Sequence, residues 1–195
     1  TTGNNNTAMG ISALLVSTAD NNTAFGHNTM AANTTGTQNV AVGGFALDAC
    51  TTGSNITAIG YAALSANTTG QRLTALGVGA LYTNNGNDNT AIGYEALYDN
   101  TTGERNTALG DNCLANNTTA DDNVAIGHEA LFINTTGAKN VAVGNYALDA
   151  NTTADNNTAI GYQALTANTT ANNNTAVGTY ALAANTTGAN LVAVG

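Results

Sequence analysis

Along this chain a short apolar triplet returns at a nearly constant interval, always closed by glycine. The stretch NTAIGYQAL (Asn157–Leu165) reappears as NTAIGYEAL (Asn89–Leu97), NVAIGHEAL (Asn123–Leu131) and NVAVGNYAL (Asn140–Leu148). The closing glycine falls at Gly10, Gly26, Gly43, Gly60, Gly77, Gly93, Gly110, Gly127, Gly144, Gly161, Gly178 and Gly195. The interval is 17 residues, except for 16 between Gly10 and Gly26 and between Gly77 and Gly93. Internal periodicity of this kind outranks other sequence signals and makes the chain a repeat array. Numbering the glycine as position 1, the unit reads G-Y-x-A-L-x-A-N-T-T-G-x-x-N-T-A-I. Position 16 is Ala in every copy, position 15 is Thr or Val, and position 17 is always apolar. With side chains alternating along an extended segment, residues 15 and 17 share one face and residue 16 takes the other. The run N-[TV]-A-[IVL] therefore predicts a short strand, and placing the larger side chains in the core puts the alanine outside.

The other positions are equally regular. Position 1 never departs from Gly, as a corner with positive φ or a close backbone approach requires. Position 5 is Leu except at Met30, and position 4 is Ala except at Thr29 and Cys113. The run between them fits a second strand or a helical turn, and short apolar runs leave that choice open. Seventeen residues are too few for a two-helix repeat and fit one coil of a β-solenoid. The expected fold is thus all-β, a β-roll of 17-residue coils forming one array over residues 1–195, about eleven coils long. Stacked coils lie about 4.8 Å apart. Asn at position 8 or 14 then either forms an amide ladder along the axis or stabilises a corner. The sequence begins and ends inside the repeat without a polar cap, which predicts a longer array or end-to-end stacking.

An alanine on the outer strand face at every level invites close approach by another surface. Ala125, Ala142, Ala159 and Ala176 are accordingly the expected assembly face of a homo-oligomer, with extra burial compensating a thin core.

Composition narrows the function. Charged residues make up 8% of the chain and apolar ones 43%, which is not a disordered composition. Three basic residues against twelve acidic ones, a net charge of −9, argue against nucleic acid or a polybasic membrane contact. No apolar run approaches the roughly 20 residues that span a bilayer. Charges occupy the edges of the repeat, with Arg72, Arg105 and Lys139 all at position 13.

The NVAVG stretch (Asn140–Gly144) resembles the repeat of the left-handed β-roll heads of trimeric autotransporter adhesins. NTAIGYQAL together with NTTG (Asn67–Gly70, Asn185–Gly188) resembles repeats of phage tail fibres and bacterial surface fibre proteins. The resemblance spans essentially the whole chain, although the period is longer than the adhesin-head repeat by the added NTTG segment. It implies a left-handed, homotrimeric, extracellular fibre on a cell surface or virion, used for attachment to a surface receptor or glycan.

Candidate chemistry is sparse. Cys50 and Cys113 lie four coils apart, about 19 Å, beyond disulfide reach, and are expected as buried, inert thiols. His27 and His128 share position 2 six coils apart and cannot share a metal within one chain. No Ca²⁺ loop pattern and no nucleophile–base constellation can be assembled, so no catalytic, cofactor or metal residue is assigned and an enzyme is not expected. Asn33, Asn67, Asn100, Asn134, Asn151, Asn168 and Asn185 each open an Asn-Thr-Thr sequon and are candidate glycosylation acceptors, with further sequons at Asn5, Asn21, Asn55, Asn116, Asn156 and Asn173. The leading expectation is a structural and adhesive fibre segment. The alternative is an ice-binding solenoid using the Thr-Thr pairs of positions 9 and 10, such as Thr135-Thr136 and Thr152-Thr153.

Overall fold

A computed structural model describes residues 3–195 and shows a β-solenoid. Among the described residues there are twelve strands of three residues each, one per repeat. The first six are β1 (Thr7–Met9), β2 (Thr23–Phe25), β3 (Val40–Val42), β4 (Thr57–Ile59), β5 (Thr74–Leu76) and β6 (Thr90–Ile92). Then follow β7 (Thr107–Leu109), β8 (Val124–Ile126), β9 (Val141–Val143), β10 (Thr158–Ile160), β11 (Thr175–Val177) and β12 (Val192–Val194). All pair in parallel and in sequence order, forming one twelve-stranded sheet along one side of the coil stack. Pairing sets like on like: Ala159 of β10 lies between Ala142 of β9 and Ala176 of β11. The two 16-residue coils keep this register, with Thr7 opposite Thr23 and Thr74 opposite Thr90. Each has lost its residue from the Thr-Thr corner, where the chain can be shortened without shifting the strand.

Hydrogen bonding along the axis continues beyond the strands. In one coil the N–H groups of Val141, Gly144, Tyr146 and Leu148 donate to the carbonyls of Asn157, Ile126, His128 and Ala164, at 2.7–3.0 Å. Positions 2–7 form neither a second strand nor a helix but a tight turn. Its unusual feature is that positions 3 and 5 both take left-handed backbone conformations, as does position 13. Leu64, Leu148 and Leu165, for example, each have φ of 54°. That conformation costs a branched residue on the order of 1–3 kcal/mol. It persists because it aims the leucine into the core, where full burial contributes roughly 1.5–3 kcal/mol.

At position 1 the backbone demand is stricter. Gly144 has φ of 131°, and a Cβ there would stand 2.5 Å from the carbonyl oxygen of Gly161 in the next coil. Only glycine lets successive corners stack this closely.

The facing of the strand is the reverse of the expectation. Ala125, Ala142, Ala159 and Ala176 are completely buried within the core cluster, with the leucines of position 5 and the alanines of position 4. They are therefore not an outer assembly face. Residues 15 and 17 point outward instead, and in the inner strands exposure at these positions reaches 39% at Ile160 and 44% at Leu76. The reason is volume. The interior of most coils already holds a leucine at position 5 and buried asparagines at positions 8 and 14, so there is room only for a methyl opposite them.

Candidate functional site

Turning the strand over places a two-column strip on the outside of the sheet, made of Thr, Val, Ile and Leu with Met9 and Phe25 in the first two strands. On β8 to β11 the columns run Val124, Val141, Thr158, Thr175 and Ile126, Val143, Ile160, Val177. At one strand per coil and about 4.8 Å per step, the strip extends roughly 50 Å. Scattered exposed apolar side chains are normal on folded proteins, whereas here they continue from strand to strand along the sheet. Period-2 alternation had identified these residues, but on the wrong side of the strand.

The expected amide ladder is present. At position 8, Asn100 donates to Asn84 at 2.6 Å, Asn117 to Asn100 at 2.7 Å, Asn134 to Asn117 at 3.1 Å and Asn151 to Asn134 at 2.8 Å. Each of these asparagines also donates to the carbonyl of its own corner, as Asn134 does to Gly137 at 2.9 Å. The ladder and the corner reading are both correct. At position 14 the side chain joins neighbouring coils in another way. Asn140 Oδ1 accepts from the backbone N–H of Asn157, while its amide donates to the carbonyl of Ala154.

Both ladders falter in the same region. Cys50 replaces Asn at position 8, and Ile56 and Leu73 replace it at position 14. In the short coil after Gly77, Asn84 turns its amide to Gly86 at 2.7 Å and does not reach Asn67. Asn67 Oδ1 is left buried with no protein hydrogen bond.

The same burial removes most of the expected glycosylation acceptors. Asn33, Asn67, Asn100, Asn134, Asn151 and Asn168 are fully enclosed, and Asn185 is partly so. Their amide nitrogens are donors to corner carbonyls and neighbouring amides, so the folded coil has no free acceptor there. Sequons at position 13 are placed differently: Asn55, Asn156 and Asn173 are exposed.

The thiols of Cys50 and Cys113 are free and buried. Burial pushes the Cys113 thiol up to about 12 and raises that of Cys50 as well, so both stay protonated and unreactive. Position 13 and its neighbours form a charged edge. Arg72 Nη2 meets Asp88 at 2.9 Å, and Arg105 contacts Asp122 at 2.7 Å, Glu104 at 2.9 Å and Asp121 at 3.2 Å. Hydrogen bonds from the guanidinium groups hold Asp88 and Asp122 below the ordinary carboxylate range. His27 and His128 sit at the same corner of different coils, each packed edge-on against an aromatic ring, Phe45 and Tyr146 respectively. Among the described residues, no group of three or more His, Cys, Asp or Glu is placed to hold a metal ion, and no helix is long and apolar enough to cross a membrane.

No family model, curated protein or solved structure matches this chain.

Proposed function

We propose that the chain is a shaft segment of a non-enzymatic, homo-oligomeric extracellular fibre serving attachment, with left-handed coils and three chains to a fibre. The observation that carries this reading is the outer strip of the sheet, two columns of apolar and threonine side chains repeated from β1 to β12. Covering an aliphatic side chain that is about 40% exposed contributes roughly 0.6–1.2 kcal/mol, and the strip repeats that gain at each coil. Identical chains aligned by coil register would bring like rows together along the whole length. Ile126→Glu combined with Val143→Glu tests the seam. Wild type should sediment as an oligomer and the double variant as a monomer with an unchanged β-sheet circular dichroism spectrum. A wild-type monomer at high concentration would sink the proposal.

A second reading, ice binding, is favoured by one observation: the outer sheet face is an in-register array carrying Thr57, Thr74, Thr90 and Thr107 in one column. The Thr-Thr corner is less suited, because its position-9 hydroxyls are committed to carbonyls of the next coil, as with Thr118 to Thr135 at 2.9 Å. Thermal hysteresis in the purified protein supports this reading, and its absence at high concentration removes it.

A further inference from the structure

The turn of positions 2–7 carries nearly all the aromatic rings, and between Gly43 and Tyr98 they border a trough. One hollow of 340 Å³ lies between Phe45, Tyr61 and Tyr82, with Asp48 and Ser65 on its wall. A second of 180 Å³ continues it past Gly79 towards Glu95 and Tyr98. The two share Tyr61, Ala62 and Tyr82, so they adjoin and follow one another along the solenoid axis. Together they span four coils, or about 14 Å from first to last.

Its depth comes from two sequence choices. Position 3 carries larger side chains in neighbouring coils, such as Asn28, Phe45, Glu95 and Asn112, but Ala62 and Gly79 at the centre of the trough. The rings are held by one another: Phe45 and Tyr61 meet edge to face at 5.9 Å, and Tyr82 stacks on Tyr98 at 5.0 Å. Tyr61 remains 58% exposed despite these contacts, so its ring is available to a ligand. Asp48 accepts a 2.6 Å hydrogen bond from Ser65, which fixes its carboxylate at the wall.

Resting on the reading of the chain as an attachment fibre, we propose that this trough binds a neutral, extended oligosaccharide. Aromatic faces accommodate the apolar C–H faces of pyranose rings, while Asp48 and Glu95 accept hydrogen bonds from sugar hydroxyls. The trough runs parallel to the coil axis, which suits a linear β-linked chain of successive rings. Charge selects against acidic sugars: two carboxylates flank the trough, the chain carries a net charge of −9, and among the described residues no Lys or Arg lines either hollow.

The test uses cellotetraose and chitotetraose as probes, with tetragalacturonate as the anionic control, read by saturation-transfer NMR and calorimetric titration. At least one neutral tetrasaccharide should bind, and the anionic one should not. Tyr61→Ala should weaken binding about tenfold or more, as loss of a central aromatic anchor does. Gly79→Asn should abolish binding with little change in melting temperature. Position 3 holds Asn28 and Asn112 at φ of 55° and 52°, close to the 66° of Gly79. A new side chain there would fill the trough floor, its Cβ meeting Glu95 and Tyr98 at 3.3 Å. Tyr180→Ala, on the same edge but outside the trough, should leave affinity unchanged. The proposal is overturned if neither neutral sugar binds at millimolar concentration, if binding survives both Tyr61→Ala and Gly79→Asn, or if tetragalacturonate binds equally well. Sedimentation of the same wild-type sample separates the two proposals, since an assembled protein that binds no sugar refutes the trough and leaves the fibre standing.

Discussion

Removing a single rung of the buried asparagine ladder should be felt in the neighbouring coil as well as its own. Asn140 is fully buried, and its Oδ1 accepts from the backbone N–H of Asn157 at 2.9 Å. Its amide donates to the carbonyl of Ala154 at 2.8 Å. Asn140→Ala takes away both, together with the longer 3.3 Å bond that Oδ1 accepts from the Asn157 side-chain amide. The Asn157 N–H is then stranded in the interior, costing about 1–3 kcal/mol. Ala154 loses one of two partners, because Asn151 still donates to it at 3.1 Å, and that bond is worth about 0.5–1.5 kcal/mol. The sum is about 1.5–4.5 kcal/mol, enough to lower a cooperative melting transition of a chain this size by about 10 °C. Repeat arrays can unfold piecewise, so a local readout is needed as well. Exchange of the Asn157 amide should accelerate roughly ten- to two-thousand-fold. Asn140→Asp refines the test. It keeps the acceptor but places a carboxylate in the interior, so its folded pKa rises above the unfolded value. The stability it retains is then fully present below the unfolded pKa and is lost as pH rises through the folded pKa. The aspartate variant should therefore melt closest to wild type in mild acid. If Asn140→Ala leaves both the melting temperature and the Asn157 amide exchange unchanged, the ladder contributes nothing and the account of the interior is wrong.

Three further outcomes are expected. Gly144→Ala combines an unfavourable backbone conformation with a Cβ pressed to 2.5 Å from the Gly161 carbonyl, so it should destabilise by about 3 kcal/mol or more, measured by urea unfolding. Ala142→Phe, directed into a filled interior, should cost at least about 1–3 kcal/mol and collapse the melting transition whether or not chains associate; a variant that melts normally but fails to assemble would restore the alanine to the outside. The Cys113 thiol, raised to about 12 by burial, should resist alkylation at mildly alkaline pH and become reactive once the chain is unfolded in urea, as followed by intact-mass spectrometry.

The one-dimensional pattern of the chain already contained its repeat length, the place of each strand and the glycine corner. Each of these is a local property: strand formation follows from β-branched residues in sequence, and Gly144 answers to its own φ. The recurrence of asparagine at positions 8 and 14 was also visible, with a ladder or a corner role left open, because stacking an identical unit brings identical positions together. Which side of the strand faces inward was not legible. Thr158, Ala159 and Ile160 offer no strongly polar face to mark the outside, and alternation alone leaves two equivalent choices. Size favoured burying the isoleucine; the cross-section of the coil decided for the alanine, since Leu148, Asn151 and Asn157 already occupy the interior. The same limit hid the left-handed leucines, whose backbone strain is tolerated only where the finished core receives the side chain. It hid the aromatic trough too, because rings at positions 2, 3 and 6 of separate coils become neighbours only through the stacking of the solenoid.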